Sequence, residues 1–125
     1  MDIQSTSVAR PKSSVKVNKD ILDEYVQGPP SEQLALDLLK GEWSSRLPDP
    51  FGHLEAGPIP LFQDSRIAWG LAQLGDVTGF KCLELGPLEG GHSYMLEQAG
   101  VQEVLAIESN QRAFLKCLIA KNLLN

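Results

Sequence analysis

Residues 80–108 confine this chain to a narrow set of folds. Phe80-Lys81-Cys82-Leu83-Glu84-Leu85 is a short strand-like run that breaks at Gly86-Pro87. Alternation puts Leu83 and Leu85 on one face, and Cys82 and Glu84 on the other. The stretch from Gly91 to Gln98 contains no proline and fits a helix closed by Gly100. Val101 to Ile107 is a second strand-like run, and Glu108 ends it. A strand, a helix and a strand at this spacing predict two parallel strands, because parallel neighbours need a crossover rather than a tight turn.

The flanking segments extend the pattern. Asp64 is a good N-cap for a helix carrying Ile67, Leu71 and Leu74 on one side, with Ala68 and Trp69 alongside and Gly75 as terminator. Asn110 to Leu124 reads as an amphipathic helix, with Ala113, Phe114, Cys117, Leu118 and Leu124 as its buried set. Further upstream, Ser31 is placed to cap a helix through Leu34, Leu36, Leu38 and Leu39, ending near Gly41 with Trp43 just beyond. Between Ser44 and Pro60 stand Pro48, Pro50, Pro58, Gly52 and Gly57, a density of breakers that predicts irregular structure. Ile21 to Val26 reads as a short helix or extended segment ended by Gly28-Pro29-Pro30. Residues 1–20 are polar, with Arg10, Lys12, Lys16 and Lys19 and no apolar period, and read as disordered.

The expected organisation is therefore a polar arm over 1–20, a helical and proline-rich extension over 21–61, and the first part of a cofactor-binding α/β domain over 62–125. Two parallel strands do not make a stable sheet alone, since faces and edges need cover. The chain is expected to be the front portion of a larger α/β domain; otherwise the N-terminal elements and a partner supply the missing cover.

Composition narrows the function classes. At 125 residues and 42% hydrophobic content, one domain with a real core is possible. A formal net charge of -5 argues against holding nucleic acid by a broad basic surface. No window approaches 18 consecutive apolar residues, so no membrane span is expected. No apolar secretory segment follows Met1. Cys82 and Cys117 read as small buried thiols in a reducing cytoplasm. His53 has no Cys or second His at ligand spacing, so no metal site is expected.

The turn after the first strand carries the chemistry. Glycines at 86, 90 and 91 let a ligand approach the backbone without meeting a Cβ. The helix beginning near Gly91 points free N–H groups at the same place. Ligands of open parallel sheets bind outside the carboxyl ends of the strands, which is where this turn lies. Glu108, at the end of the second strand, is placed to accept hydrogen bonds from the two hydroxyls of a ribose. A dinucleotide site prefers G-x-G-x-x-G. Here Leu88 occupies the place of the second glycine, and Gly90-Gly91 follow. Glu84, two residues before Gly86, offers nothing to a pyrophosphate but suits the amino and sulfonium groups of S-adenosylmethionine.

With these residues in view, Leu83-Glu84-Leu85-Gly86-Pro87-Leu88-Glu89-Gly90-Gly91-His92-Ser93 resembles the first motif of class I S-adenosylmethionine-dependent methyltransferases, of the E-x-G-x-x-x-G type. Ala106-Ile107-Glu108-Ser109-Asn110 resembles their acidic motif, and Asp64 to Leu74 is similar to the helix that precedes their first strand. The resemblance covers residues 62–125 and departs at Leu88, where many members have glycine. It implies a Rossmann-like parallel sheet, truncated after the second β-α unit and preceded by a helical and irregular extension. It further implies that Gly86, Pro87, Gly90 and Gly91 line the methionine portion of the cofactor, that Glu84 lies near its amino group and that Glu108 holds the ribose. The strands that usually supply adenine contacts and substrate-facing residues are missing, so no catalytic residue carries over. The expected function is methyl transfer from S-adenosylmethionine to an unidentified acceptor. The alternatives are a fragment of an NAD(P)-binding Rossmann oxidoreductase and a non-catalytic binding or interaction module.

Four further expectations concern neighbours of the motif. Glu89 reads as a solvent-facing turn residue. His92 and Ser93 are either cofactor contacts or local capping groups. Trp43, Trp69 and Phe62 read as core or interface aromatics. Trp43 to Pro48 is an odd mixture for plain packing and is expected to form a lid or substrate wall.

Overall fold

A computed structural model describes residues 25–125. The polar arm expected over 1–20, and most of the Ile21 to Val26 segment, lie outside the described residues. The described chain is mixed α/β. Its element order is α1 (Gln33–Asp37), α2 (Ser65–Leu74), β1 (Lys81–Leu85), α3 (Gly91–Gln98), β2 (Glu103–Ile107) and α4 (Gln111–Leu124), with single 3-10 turns at Phe51–His53 and Leu61–Gln63.

Local chemistry accounts for most boundaries. The Asp64 carboxylate accepts from Arg66 N at 2.9 Å to start α2, and Gly75, at φ 76°, ends it. Asn110 caps α4 through Oδ1, which accepts from Arg112 N and Ala113 N at 3.0 Å each. Helix α1 departs from expectation. It is one short turn whose N-cap is Glu32, with no capping side chain, and Ser31 contributes only its carbonyl, to Leu34 N. Strand β2 begins at Glu103 rather than Val101, because Val101 N is taken by Leu96 O in closing α3.

β1 and β2 pair in parallel, in a register running from Lys81 opposite Glu103 to Leu85 opposite Ile107. Cys82, Glu84 and Val104 are half-buried on the face toward α3. Among the described residues nothing covers the opposite face. Leu83, Leu85, Leu105 and Ile107 stand 62%, 72%, 58% and 53% exposed, side by side on the two strands. Each such side chain gains about 1.5–3 kcal/mol when fully covered, so this face is a large unspent source of packing energy.

The core lies elsewhere. Leu36, Leu39, Trp43, Leu47, Phe62 and Ala120 form it, with Leu54, Tyr94, Ile119, Leu123 and Leu124 packed against it. It joins the segment upstream of α2 to the C-terminal half of α4. The Trp43 indole N–H donates to Leu36 O at 3.0 Å, and Phe62 meets Tyr94 edge-on at 5.7 Å between centroids. Trp43 and Phe62 are thus core aromatics as expected, whereas Trp69 is 69% exposed on α2. The inward face of α4 also differs from expectation. Ala113, Lys116 and Ala120 are buried, with Cys117 half-buried, while Phe114 and Leu118 stand half exposed. Lys116 takes an inner place because an acid waits there.

Candidate functional site

Two hydrogen-bonding systems organise the carboxyl ends of the strands. The first centres on Glu108. Its carboxylate accepts from Asn110 N at 2.8 Å and from Leu88 N at 3.0 Å, which clips the turn after β1 to the loop before α4. The Asn110 N–H and then the Leu88 N–H outweigh partial desolvation and hold Glu108 below the ordinary carboxylate range. Gly86 lies on the same turn at φ 72°, and a Cβ placed there would meet no atom within 4 Å. Its backbone is therefore open to a ligand. Gly86, Leu88, Glu108, Asn110, Arg112 and Lys116, with Glu42 and Ala113, line one open cleft of about 310 Å³.

The second system was not foreseen. Glu89, expected in solvent, is fully buried. Its carboxylate accepts from Ser44 N at 2.9 Å, Ser45 N at 2.6 Å and Lys116 Nζ at 2.6 Å. Burial alone would raise its pKa, but the Lys116 ammonium and the two serine N–H groups lower it overall. Lys116 Nζ also donates to Glu42 O at 2.7 Å and sits 5.8 Å from the Trp43 ring centroid. Arg112 pairs with the Glu42 carboxylate across the cleft mouth. The Trp43 to Pro48 segment is thus tied at its start to the turn and to α4, with Trp43 and Leu47 in the core, and none of its residues lines this cleft or the cavity at Gly90. The sequence held one signal for this system: a lysine among Ala113, Cys117 and Ala120 at helical spacing.

The remaining predicted site residues lie apart from the cleft. Glu84 faces α3, where Ser93 Oγ donates to its carboxylate and His92 Nδ1 stands 3.7 Å away. His92 Nε2 donates to Asp64 Oδ2 at 3.0 Å. Asp64, held well below the usual carboxylate range by the Arg66 guanidinium, Arg66 N and then His92, thereby ties the start of α2 to that of α3. His92 and Ser93 are therefore engaged within the protein. Pro87 is buried. Gly90 lines a different cavity of about 210 Å³, shared with Ser93, Val104, Ala106 and Cys117. Burial, and then the Glu108, Glu84 and Glu89 carboxylates, push the Cys117 thiol up to about 11, so it is not a thiolate at neutral pH. Gly91 has a packing reason to be glycine: a Cβ would fall 2.6 Å from Leu61 O and 2.8 Å from Leu61 C.

Of the six candidates, Gly86 and Glu108 share the cleft, while Glu84, Pro87, Gly90 and Gly91 shape the turn and helix behind it. Among the described residues no cluster of His, Cys, Asp or Glu could hold a metal ion. No helix among them is long and apolar enough to cross a membrane. Compared with known proteins, the chain matches no protein-family model, no curated protein and no solved structure.

Proposed function

We propose that this chain carries the cofactor-binding half of a class I S-adenosylmethionine-dependent methyltransferase with a Rossmann-like core, acting in the cytoplasm on an unidentified acceptor. The observation that carries the reading is the meeting of Gly86 and Glu108 at one cleft beyond the carboxyl ends of two parallel strands. In this reading the Glu108 carboxylate receives the ribose hydroxyls, and the open backbone at Gly86 and Leu88 runs beside the methionine portion. Each carboxylate oxygen of Glu108 already takes one backbone N–H and retains acceptor capacity for a hydroxyl. Glu84 supports the turn and lies near the cofactor's amino group at most through intervening groups, since Ser93 already occupies it. S-adenosylmethionine supplies an electrophilic methyl on a sulfonium. The chain's own share is to bind, orient and hold charge.

Charge favours this cofactor over a dinucleotide. Arg112 is paired with Glu42, and Lys116 with Glu89, so among the described residues the cleft holds no unpaired cation for a pyrophosphate. Glu108 itself does not discriminate, since a strand-end acid serves the ribose of either cofactor. Nor do Gly90, Gly91 or His92, at the N-terminus of α3, line the cleft where a pyrophosphate would need their N–H groups. The two unpaired cysteines fit a reducing compartment.

Isothermal calorimetry of the 125-residue chain with S-adenosylhomocysteine and with NAD tests the reading. Saturable binding of the first, lost in Glu108→Ala, is expected. Binding of NAD alone would assign the cleft to an oxidoreductase, and no binding of either at millimolar concentration would assign it to an interaction module.

A further inference from the structure

We propose that Glu89 is the positioning residue of this cleft: its buried carboxylate fixes the Gly86–Gly90 turn against the strap formed by residues 42–45. The proposal deepens the cofactor reading above and rests on it, but it stands on contacts that exist without any ligand.

Three observations meet at Glu89. The first is chemical. A carboxylate with no exposure is a poor choice for a turn whose only task is to reverse the chain. A buried ion pair adds little stability over apolar packing, and its best-attested use is to specify one arrangement among several. Here the arrangement is explicit. One carboxylate oxygen takes Ser44 N and Lys116 Nζ, and the other takes Ser45 N, so three donors from two distant parts of the chain converge on one side chain.

The second observation is strain. Leu88, immediately before Glu89, sits at φ 57°, a left-handed conformation that a side chain with a Cβ resists. Such a residue persists only where its surroundings over-determine it. Leu88 N is held by Glu108 Oε2, Leu88 O accepts from Cys117 Sγ at 3.3 Å, and Glu89 anchors the next residue from inside. The strained residue is the one whose N–H reaches the ribose-binding acid. Releasing Glu89 lets Leu88 relax and removes its N–H from Glu108.

The third is the opposite wall. Lys116 holds Glu89 with one N–H and Glu42 O with another, and it lines the cleft itself. The turn on one side and the strap on the other thus both depend on a single pair. The cleft's width is set by Glu89 and Lys116, while its chemistry is set by Gly86 and Glu108.

Amide hydrogen exchange of the ligand-free 125-residue chain, read by NMR, tests this alongside calorimetry with S-adenosylhomocysteine. In Glu89→Gln, the Leu88, Ser44 and Ser45 amides are expected to exchange at least tenfold faster. The β1–β2 ladder amides should stay within about twofold, and affinity for S-adenosylhomocysteine should fall at least tenfold. Equal acceleration at every amide would reduce Glu89 to a general stabiliser and overturn the proposal, as would unchanged exchange at Leu88. If the single variant does not fold, the doubly neutral Glu89→Gln/Lys116→Met chain leaves no unpaired buried charge and is expected to show the same local pattern. A wild-type chain that binds no S-adenosylhomocysteine would refute the cofactor reading, and the exchange pattern would still decide whether Glu89 sets the turn.

Discussion

Replacing Gly91 by alanine separates a glycine kept for packing from one kept for a ligand. Gly91 opens α3, and its missing Cβ is the space into which the Leu61–Gln63 turn fits. An added Cβ would stand 2.6 Å from Leu61 O, 2.8 Å from Leu61 C and 3.2 Å from Phe62 N, where ordinary contact begins near 3.4 Å. All three are backbone atoms, and Phe62 behind them is a core residue only 3% exposed, so no flexible side chain can yield. Overpacking of this kind costs about 1–3 kcal/mol. Alanine in a helix returns about 0.5–1 kcal/mol over glycine. The net expectation is a loss of roughly 0–2.5 kcal/mol, centred near 1, which at the centre is about 5 °C in Tm for a domain of this size. Gly70→Ala is the matched control. It lies inside α2 with nothing within 4 Å of its virtual Cβ, so the same substitution should raise Tm by roughly 3–6 °C. Differential scanning calorimetry of the two variants reads both signs. A Gly91→Ala chain as stable as Gly70→Ala would refute the packing account and return Gly91 to the ligand.

Two other outcomes follow from the charge and surface of the fold. Asp64, Glu89 and Glu108 all have folded-state pKa values below their ordinary ones, so the stability they confer is full above about pH 4.5 and is lost as pH falls through the lowered values. Urea midpoints measured from pH 7 down to pH 3 should therefore drop through the acid range, and a flat profile would contradict the assigned contacts. The bare face of Leu83, Leu85, Leu105 and Ile107 should bind a hydrophobic dye, and Leu83→Thr with Leu105→Thr should abolish most of that fluorescence without lowering Tm. Loss of folding in that variant would show that the face is covered.

What the sequence revealed was what neighbours in the chain decide. Asp64 and Asn110 cap their helices, Gly75 ends α2, and the alternation in β1 sorts Leu83 and Leu85 from Cys82 and Glu84 as expected. These are contacts within a few residues. The departures from expectation come from partners far along the chain. A carboxylate in a glycine turn ordinarily stays in solvent, and the N–H groups that draw Glu89 inward lie 44 and 45 residues away. Lys116 follows from Glu89, and once it takes an inner place on α4, Phe114 and Leu118 turn outward. Apolar periodicity alone could not find that rotation. Gly86 and Gly91 were alike in sequence, and only the atoms around each virtual Cβ, none for Gly86 and Leu61 backbone for Gly91, tell them apart.

In the proposed function the Gly86–Glu108 cleft receives the adenosyl cofactor. Titrating ¹⁵N-labelled chain with S-adenosylhomocysteine, with backbone amides followed by NMR, decides it. Saturable shifts centred on Gly86, Leu88 and Asn110 that vanish in Glu108→Ala are expected. Shifts confined to the cavity around Ser93 and Cys117, or none at millimolar ligand, would contradict it.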